Sequence, residues 1–355
     1  LLFSNILLRI IIFIRKHKKL QTDRQQEKQI AKQKYYITGS AILAIILLFA
    51  IISWLMKQLI APLVNLEFGI KALAERKFET QIPIPAGNDE LVQLFKEFNY
   101  MMGESYDMQI AKNVQEGLIT QTFPQTDDYK ISGISVPAND LGGDCLTSMA
   151  LSDGRILFLV GDLTGHSIGS ALMMAFVRSV CFNWSQRNEY DPEILADDID
   201  KMLRNNQIER MFMGIVCGVL NPENGIIKFV TRGHIYPLFL RNDGTSEWLG
   251  KPALPLGIGK EKPSKVLETR LLPGERMLCI SDGIIEIASG SGFTTGYETV
   301  EKWAMQNIKE EGQMWLKSIH NEFVNWCNER KIHQTDDLTL FTIIANNQIG
   351  VSEYE

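Results

Sequence analysis

No two cysteines in this chain stand close together. Cys145, Cys181, Cys217, Cys279 and Cys327 lie 36 to 62 residues apart, each among apolar neighbours. That spacing excludes a disulfide frame or a cysteine-rich zinc module and reads as reduced core thiols of a cytosolic domain. Positive charge is scarce beyond the N-terminus. Residues 15–35 hold eight Lys/Arg against Asp23 and Glu27, whereas everything from Tyr36 onward carries a formal −13 within a whole-chain charge of −6. A body that acidic repels phosphate backbones, so nucleic acid is not expected as a partner. With 45% hydrophobic and 22% charged residues, a wholly disordered, collagenous or multi-span chain is also excluded. A length of 355 residues suggests two or three modules at roughly 150 residues each. The chain opens on Leu1 rather than Met, which reads as a fragment or a processed form.

Long apolar runs are few, but one is diagnostic. Tyr36 to Met56 is 21 residues without a charge, bracketed by Lys34 and Lys57 and carrying Tyr36 and Trp54 near its ends. Its length and interfacial aromatics predict a transmembrane helix. Leu1 to Ile14 is also apolar, but is short and interrupted by Asn5 and Arg9. The end of a truncated span, an interfacial helix and a signal remnant all fit it, and 1–35 is taken as a basic N-terminal segment. The positive-inside tendency assigns residues 15–35 to the cytoplasm, and the acidic body with free thiols belongs there too. One span cannot serve both, and the larger body takes precedence: cell membrane, single or multi-pass, with the C-terminal body cytoplasmic.

After the span, Leu59, Leu63, Leu66, Ile70 and Leu73 recur in 4-3 steps, and Leu91, Leu94, Phe98 and Met101 in 3-4-3 steps. These predict two short coiled-coil helices with a/d seams. Lys77 to Asn88 between them holds two prolines and a glycine and cannot be helical. Helix, extended connector and helix, with Pro62 in the first turn, Asp89-Glu90 opening the second helix and Phe98-Asn99 inside it, resembles a HAMP linker over residues 57–104. The resemblance implies a parallel homodimeric four-helix bundle. Residues 105–123 then read as a connecting regulatory helix, without a proline from Ser105 to Phe123.

Strand-like apolar runs follow at 156–162, 212–220, 226–233, 276–283 and 338–345, with helical spacing at 170–184, 194–203 and 297–330. Turns at Asn221–Gly225 and Asn242–Gly244 join sequential strands as hairpins, and no βαβ rhythm is present. The expected class is therefore α+β with a partly antiparallel sheet, over 124–347, with 348–355 as a tail. Met173, Met174 and Phe176 read as core and Arg178 as a helix-supporting residue.

The acids fall at strand ends. Asp162 closes one strand in VGDLTGH, Asp282 another in CISDG, Asp336-Asp337 precede a third in QTDDLTL, and Asp144 sits in LGGDC. Carboxylates converging at such ends repel one another unless cations lie among them. Oxygen donors without His/Cys pairing favour Mg²⁺ or Mn²⁺.

The segments VPANDLGGD, DGRILFLVGDLTGHSIGSALMMAFVRS, TRGHIYPLFLRNDG, PLGIG, LLPGERMLCISDGIIE and TDDLTL occur in this order. Together they resemble the bacterial metal-dependent protein serine phosphatases of the PPM class, sporulation stage II protein E type, over about residues 111–346. The resemblance implies an αββα sandwich and a hydrolase that uses two Mn²⁺ or Mg²⁺ ions to activate water, with no phosphoenzyme and no nucleophilic side chain. By motif, Asp162 would bridge the ions and the Leu163 carbonyl would add a ligand. Asp282 and Asp336 would hold one ion, and Asp144 would help hold the other. Gly143, Gly165, His166, Gly283 and Asp337 would support the site or the substrate, and His234 would be structural. Cys145, Leu146 and Thr147 stand where relatives carry an aromatic pair and a second aspartate, Ser167 replaces a glycine, and TRGH replaces N-A-G-H.

The implied whole is a membrane-anchored, HAMP-regulated protein phosphatase acting on a phosphorylated cytosolic protein, by resemblance an anti-sigma-factor antagonist. The alternative is a catalytically weak phosphatase-like sensor or binding platform. A HAMP-linked kinase or cyclase fails on content, for there is no G-x-x-x-x-G-K-[ST] loop and no phosphoacceptor His with an Asn-containing nucleotide box.

Overall fold

The computed structural model describes residues 2–118, 122–139, 141–165, 168–187, 189–205, 210–259, 265–286 and 295–346. His166 and the 348–355 tail therefore lie outside the described residues. The chain divides into two units, Leu1–Ser105 and Tyr106–Glu355.

The first unit opens with a single helix, α1 (Leu2–Leu55). Neither Pro nor Gly interrupts it before Gly39, so the basic stretch is helical and continuous with the apolar run. Its most apolar window has a mean hydropathy of 2.5 and none of it is buried. By length and composition this helix can cross a membrane. A five-residue π turn (Met56–Ile60) leads into α2 (Ala61–Ala74). Pro62 lies in the first turn of α2, and its missing N–H and its ring favour an irregular turn just before it.

The connector, which has no regular structure, returns to α3 (Glu90–Leu118). Ala72, Ile82, Phe95, Phe98 and Met102 form the core here. The Asn99 side chain accepts from the Ile82 N–H at 2.9 Å and donates to its carbonyl at 2.8 Å. It thus satisfies both backbone groups of an extended residue that has no strand partner. Gly69 is needed for this packing, since a Cβ there would lie 2.7 Å from the Phe98 ring. Of the expected seam, Phe98 is buried and Leu66, Leu73 and Leu91 pack against the same core, which Phe95 and Met102 complete, whereas Leu59, Leu63, Ile70, Leu94 and Met101 are exposed. α3 also runs through residue 104 without a break and is described as far as Leu118; Thr122 and Phe123, at the end of the expected helix, are not helical.

The second unit stacks two five-stranded antiparallel sheets. One has the order β2 (Asp144–Ala150), β3 (Ile156–Leu163), β4 (Met213–Asn221), β5 (Ile226–Arg232) and β8 (Leu267–Arg270). The other has β1 (Tyr129–Val136), β10 (Leu338–Ala345), β9 (Arg276–Ile280), β6 (Leu238–Leu240) and β7 (Ser246–Trp248). Alternate residues of both, among them Ile131, Leu146, Phe158, Val160, Phe229, Phe341 and Ile343, fill the space between the sheets. Phe158 stacks on Phe341 across that space with centroids 5.6 Å apart.

The opposite faces are covered by helices. α4 (Ile168–Ser185) and α5 (Pro192–Asn205) pack on the first sheet, and α6 (Gly296–Gln306) and α7 (Gly312–Arg330) on the second. The result is the four-layer αββα arrangement of the α+β class. The stretch 297–330 is two helices instead of one, parted before Gly312 at φ +53°, a conformation that ends α-helical geometry. On α4, Met173 and Met174 are buried as expected but Phe176 is exposed, because it faces away from the sheet.

Asp337 ties the sheets together at one end. Its carboxylate accepts the N–H groups of Ala138 at 2.8 Å, of Gly143, and of Asp144 at 3.4 Å, so the loop before β2 hangs on the residue before β10. Its carbonyl accepts the Ser281 hydroxyl, which in turn accepts the Thr339 N–H at 2.8 Å. A Cβ on Gly142 would sit 2.5 Å from Asp337 Oδ2, and one on Gly283 would sit 2.1 Å from its carbonyl oxygen. Asp337→Ala removes the acceptor for buried donors and should cost about 2–4 kcal/mol. Thermal melting of the full chain in detergent measures this, and an unchanged midpoint would show that the clamp carries no stability.

Candidate metal centre

Antiparallel pairing sets the first half of the site. In the register of β2 and β3, Asp144 stands directly opposite Asp162, which brings two carboxylate-bearing positions side by side. Asp144 is buried, and burial pushes its carboxyl well above the usual range. The hydroxyls of Thr339 and Ser281 oppose the shift, while the neighbouring charges of Asp162 and Asp337 add to it. Its Oδ2 is buried without a hydrogen-bond partner.

Gly143 allows the strand ends to meet, because a Cβ there would lie 2.3 Å from the Leu163 carbonyl oxygen and 3.1 Å from Asp162 Oδ1. The Leu163 N–H donates to the Gly143 carbonyl at 3.0 Å. Thr164 anchors the following loop: its N–H donates to the Phe212 carbonyl at 2.9 Å, and its hydroxyl accepts the Phe212 N–H at 3.0 Å. Gly165 then turns the chain at φ +100°, where a side chain would be strained.

The second half comes from the other sheet. β9 and β10 are paired, so the residues after β9 and before β10 meet at one end. Asp282 opens a 3-10 turn (Asp282–Ile284) after β9, and its carbonyl accepts the N–H groups of Ile285 and Glu286, both at 2.8 Å. Burial first, then the charge of Asp336, then that of Glu286 raise its carboxyl. Asp336 Oδ1 accepts the Asp337 N–H at 2.8 Å.

Asp162 and Asp282 line one cavity of about 450 Å³ together with His234, Tyr236, Lys251 and Glu286, whereas Asp144 and Asp337 line another of about 620 Å³. Asp144 and Asp162 are thus strand neighbours that open to different cavities. Among the described residues, no three acidic, His or Cys side chains already converge as a ready ligand set. The donor chemistry nonetheless suits a hard divalent cation, being all oxygen and including one buried carboxylate oxygen with nothing to neutralise it.

Gln115 and Glu286 carried no assigned role in the sequence. Gln115 of α3 accepts the Gly142 N–H at 3.1 Å and donates to the Gly142 carbonyl, which holds the loop leading to Asp144. Its place in the helix before the first strand is the only hint that the sequence offers. Glu286, four residues after Asp282, joins the acidic lining. His234, read as structural, contacts its neighbour's carbonyl through Nδ1 at 2.9 Å and has no partner at Nε2. Burial pushes its pKa down to about 4, so the ring is neutral at physiological pH.

Comparison with known proteins agrees with this geometry. Residues 152–345 match the family of stage II sporulation protein E (SpoIIE). The chain is 23% identical to the phosphoserine phosphatase RsbU of Bacillus subtilis over 238 residues, 67% of this chain and 69% of that protein. Among solved structures, the SiaA-PP2C domain of Pseudomonas aeruginosa has a TM-score of 0.56 at 20% identity, covering 70% of this chain and 98% of that domain. The RsbU and RsbW domains of a Mycobacterium tuberculosis protein have a TM-score of 0.54 at 21% identity, covering 65% of this chain and 63% of that one. These likenesses establish the PP2C-like fold, and the family match spans more than half of the sequence. The chain belongs to the stage II sporulation protein E family, and its second unit is a PPM-type phosphatase domain, a hydrolase of a class that depends on Mn²⁺ or Mg²⁺.

Proposed function

We propose that the chain is a membrane-anchored, HAMP-regulated protein serine/threonine phosphatase of bacterial signal transduction. The observation that carries this reading is the carboxylate arrangement: Asp144 and Asp162 paired across β2 and β3, with Asp282 and Asp336 at the joined ends of β9 and β10. Two Mn²⁺ or Mg²⁺ ions would be held by Asp162 between them, with Asp282 and Asp336 on one and Asp144 on the other, and the Leu163 carbonyl as a further donor. When bound, they supply positive charge for the phosphoryl oxygens and activate water.

The chain's own residues do the remainder. Gly143 keeps the backbone close to the carboxylates, Gly165 supplies the positive-φ turn after Leu163, Gly283 lets the Asp282 turn lie against Asp337, and Asp337 holds the Asp144 loop. His166 is assigned to hydrogen bonding beside the loop or to the substrate. No side-chain nucleophile is required: burial pushes the thiol of Cys145, next to Asp144, up to about 11, so it stays protonated at neutral pH.

The substrate would be a phosphoserine- or phosphothreonine-bearing regulatory protein, by the family resemblance an anti-sigma-factor antagonist. Tyr36–Met56 would span the membrane and leave the phosphatase domain in the cytoplasm. Residues 57–104 would form the HAMP linker, coupled to the catalytic unit by the helix that continues to Leu118. The exposed stripe of Leu59, Leu63, Ile70, Leu94 and Met101 supports a homodimer, since a second copy would cover it. One observation favours the second reading, a weak phosphatase-like platform: the described acids do not stand as a ready ligand set. Mn²⁺-dependent turnover decides between the two readings.

Asp162→Asn should lower Mn²⁺-dependent hydrolysis of a phosphate ester by at least about a hundredfold, since losing a ligand exceeds the 10- to 100-fold cost of losing a supporting partner. The melting temperature without metal should hold or rise, and undiminished turnover would remove the metal assignment. Full-length protein in detergent should sediment as a dimer. Leu63→Asp combined with Ile70→Asp should yield monomers, whereas Leu66 is unsuitable for this test because it packs into its own unit's core. A wild-type monomer at micromolar concentration would count against the linker assignment.

A further inference from the structure

The cavity shared by Asp162 and Asp282 has an acidic lining, which also includes Glu286. A phosphomonoester is itself a dianion and meets repulsion there from the protein's own side chains. Lys251 is the single lysine or arginine among the described lining residues. Among the described residues, no ion pair or side-chain hydrogen bond engages its ammonium group, although three carboxylates line the same cavity.

The main chain around Lys251 is held at three points. The Leu249 N–H donates to the Pro237 carbonyl at 2.9 Å, and the Gly233 N–H donates to the Ala253 carbonyl at 3.0 Å. Between them, the Thr231 hydroxyl donates to the Lys251 carbonyl at 3.2 Å and accepts its N–H at 3.4 Å. Gly250 lies flat on Tyr236, where a Cβ would come within 2.1 Å of the ring. Across the cavity, Tyr297 packs edge-on against Trp248 at 4.9 Å. A lysine on a pinned loop costs little ordering on binding, and only its flexible stem remains to be fixed.

We propose that Lys251 is the substrate-binding cation of this cavity, contacting a non-bridging oxygen of the phosphoryl group. The inference rests on the phosphatase reading above and adds a residue that this reading does not contain. An ammonium serves here as a point charge that can follow the phosphoryl group as it moves.

The test uses the full chain in detergent with saturating Mn²⁺. Titration calorimetry with inorganic phosphate should show about tenfold weaker binding for Lys251→Met, in keeping with the loss of one charge-assisted hydrogen bond, and Lys251→Arg should restore most of it. With p-nitrophenyl phosphate, Lys251→Met should raise KM by a similar factor and leave the Mn²⁺ dependence of turnover unchanged. Equal phosphate affinity in the wild type and Lys251→Met overturns the inference. So does a variant whose KM rises only for a phosphoprotein, since Lys251 would then meet an acidic residue of that protein. Phosphate binding that requires Lys251 in a wild type without turnover would keep the inference and sink the reaction proposed above.

Discussion

Like charges gathered in a poorly solvated place dominate this structure. Asp144 and Asp162 are strand partners, Asp337 reaches across to the same loop, and Asp282 and Asp336 meet at the end of the opposite sheet. In water these acids would ionise freely, but here burial and mutual repulsion raise Asp144 and Asp282. The fold withstands that cost because the sandwich beneath is well packed, from Phe158 on Phe341 to the helices on both outer faces. Such an arrangement holds stability in reserve at the functional site, and a divalent cation bound there would release it.

The five acids do not share one role, and the hydrogen bonds separate them. Asp337 accepts backbone N–H groups from the loop that precedes β2, so it works as a fastener even though it neighbours Asp336. Asp144 keeps one oxygen without a partner, the state expected of a ligand instead of a fastener. Gly142, Gly143 and Gly283 follow from the same crowding, each standing where a Cβ would strike a carboxylate or carbonyl oxygen. The motif glycines are thus the space that lets carboxylates from two sheets approach one another.

Much of this was legible in advance. Continuous apolar runs marked β3, β4, β9 and β10, and acids at the end of β3, after β9 and before β10 marked the site, because a buried strand must be apolar until it reaches the chemistry. β1 and β2 escaped notice because Tyr129–Val136 and Asp144–Ala150 mix polar residues into short strands. The HAMP-like seam divides, Phe98 being buried in its own unit while Leu94 and Met101 are exposed, since heptad spacing alone cannot say whether a helix buries its stripe in its own unit or offers it to a second copy. Lys251 left no signal, and Gln115 only its place in the helix before the first strand, for what each touches depends on what the fold places beside it. The break before Gly312 was a missed cue, as glycine at positive φ is a common helix punctuation.

Clustered buried acids lower the stability of the metal-free fold, and on the proposed function a divalent cation held among them would restore it. Thermal melting of the full chain, metal-free and across a Mn²⁺ titration, compared between wild type and Asp144→Asn, tests it most directly. The account predicts a wild-type midpoint that climbs with Mn²⁺, and an Asp144→Asn midpoint that starts higher without metal and responds weakly to it. A wild type indifferent to Mn²⁺, or an Asp144→Asn variant less stable than the wild type in the absence of metal, would contradict it.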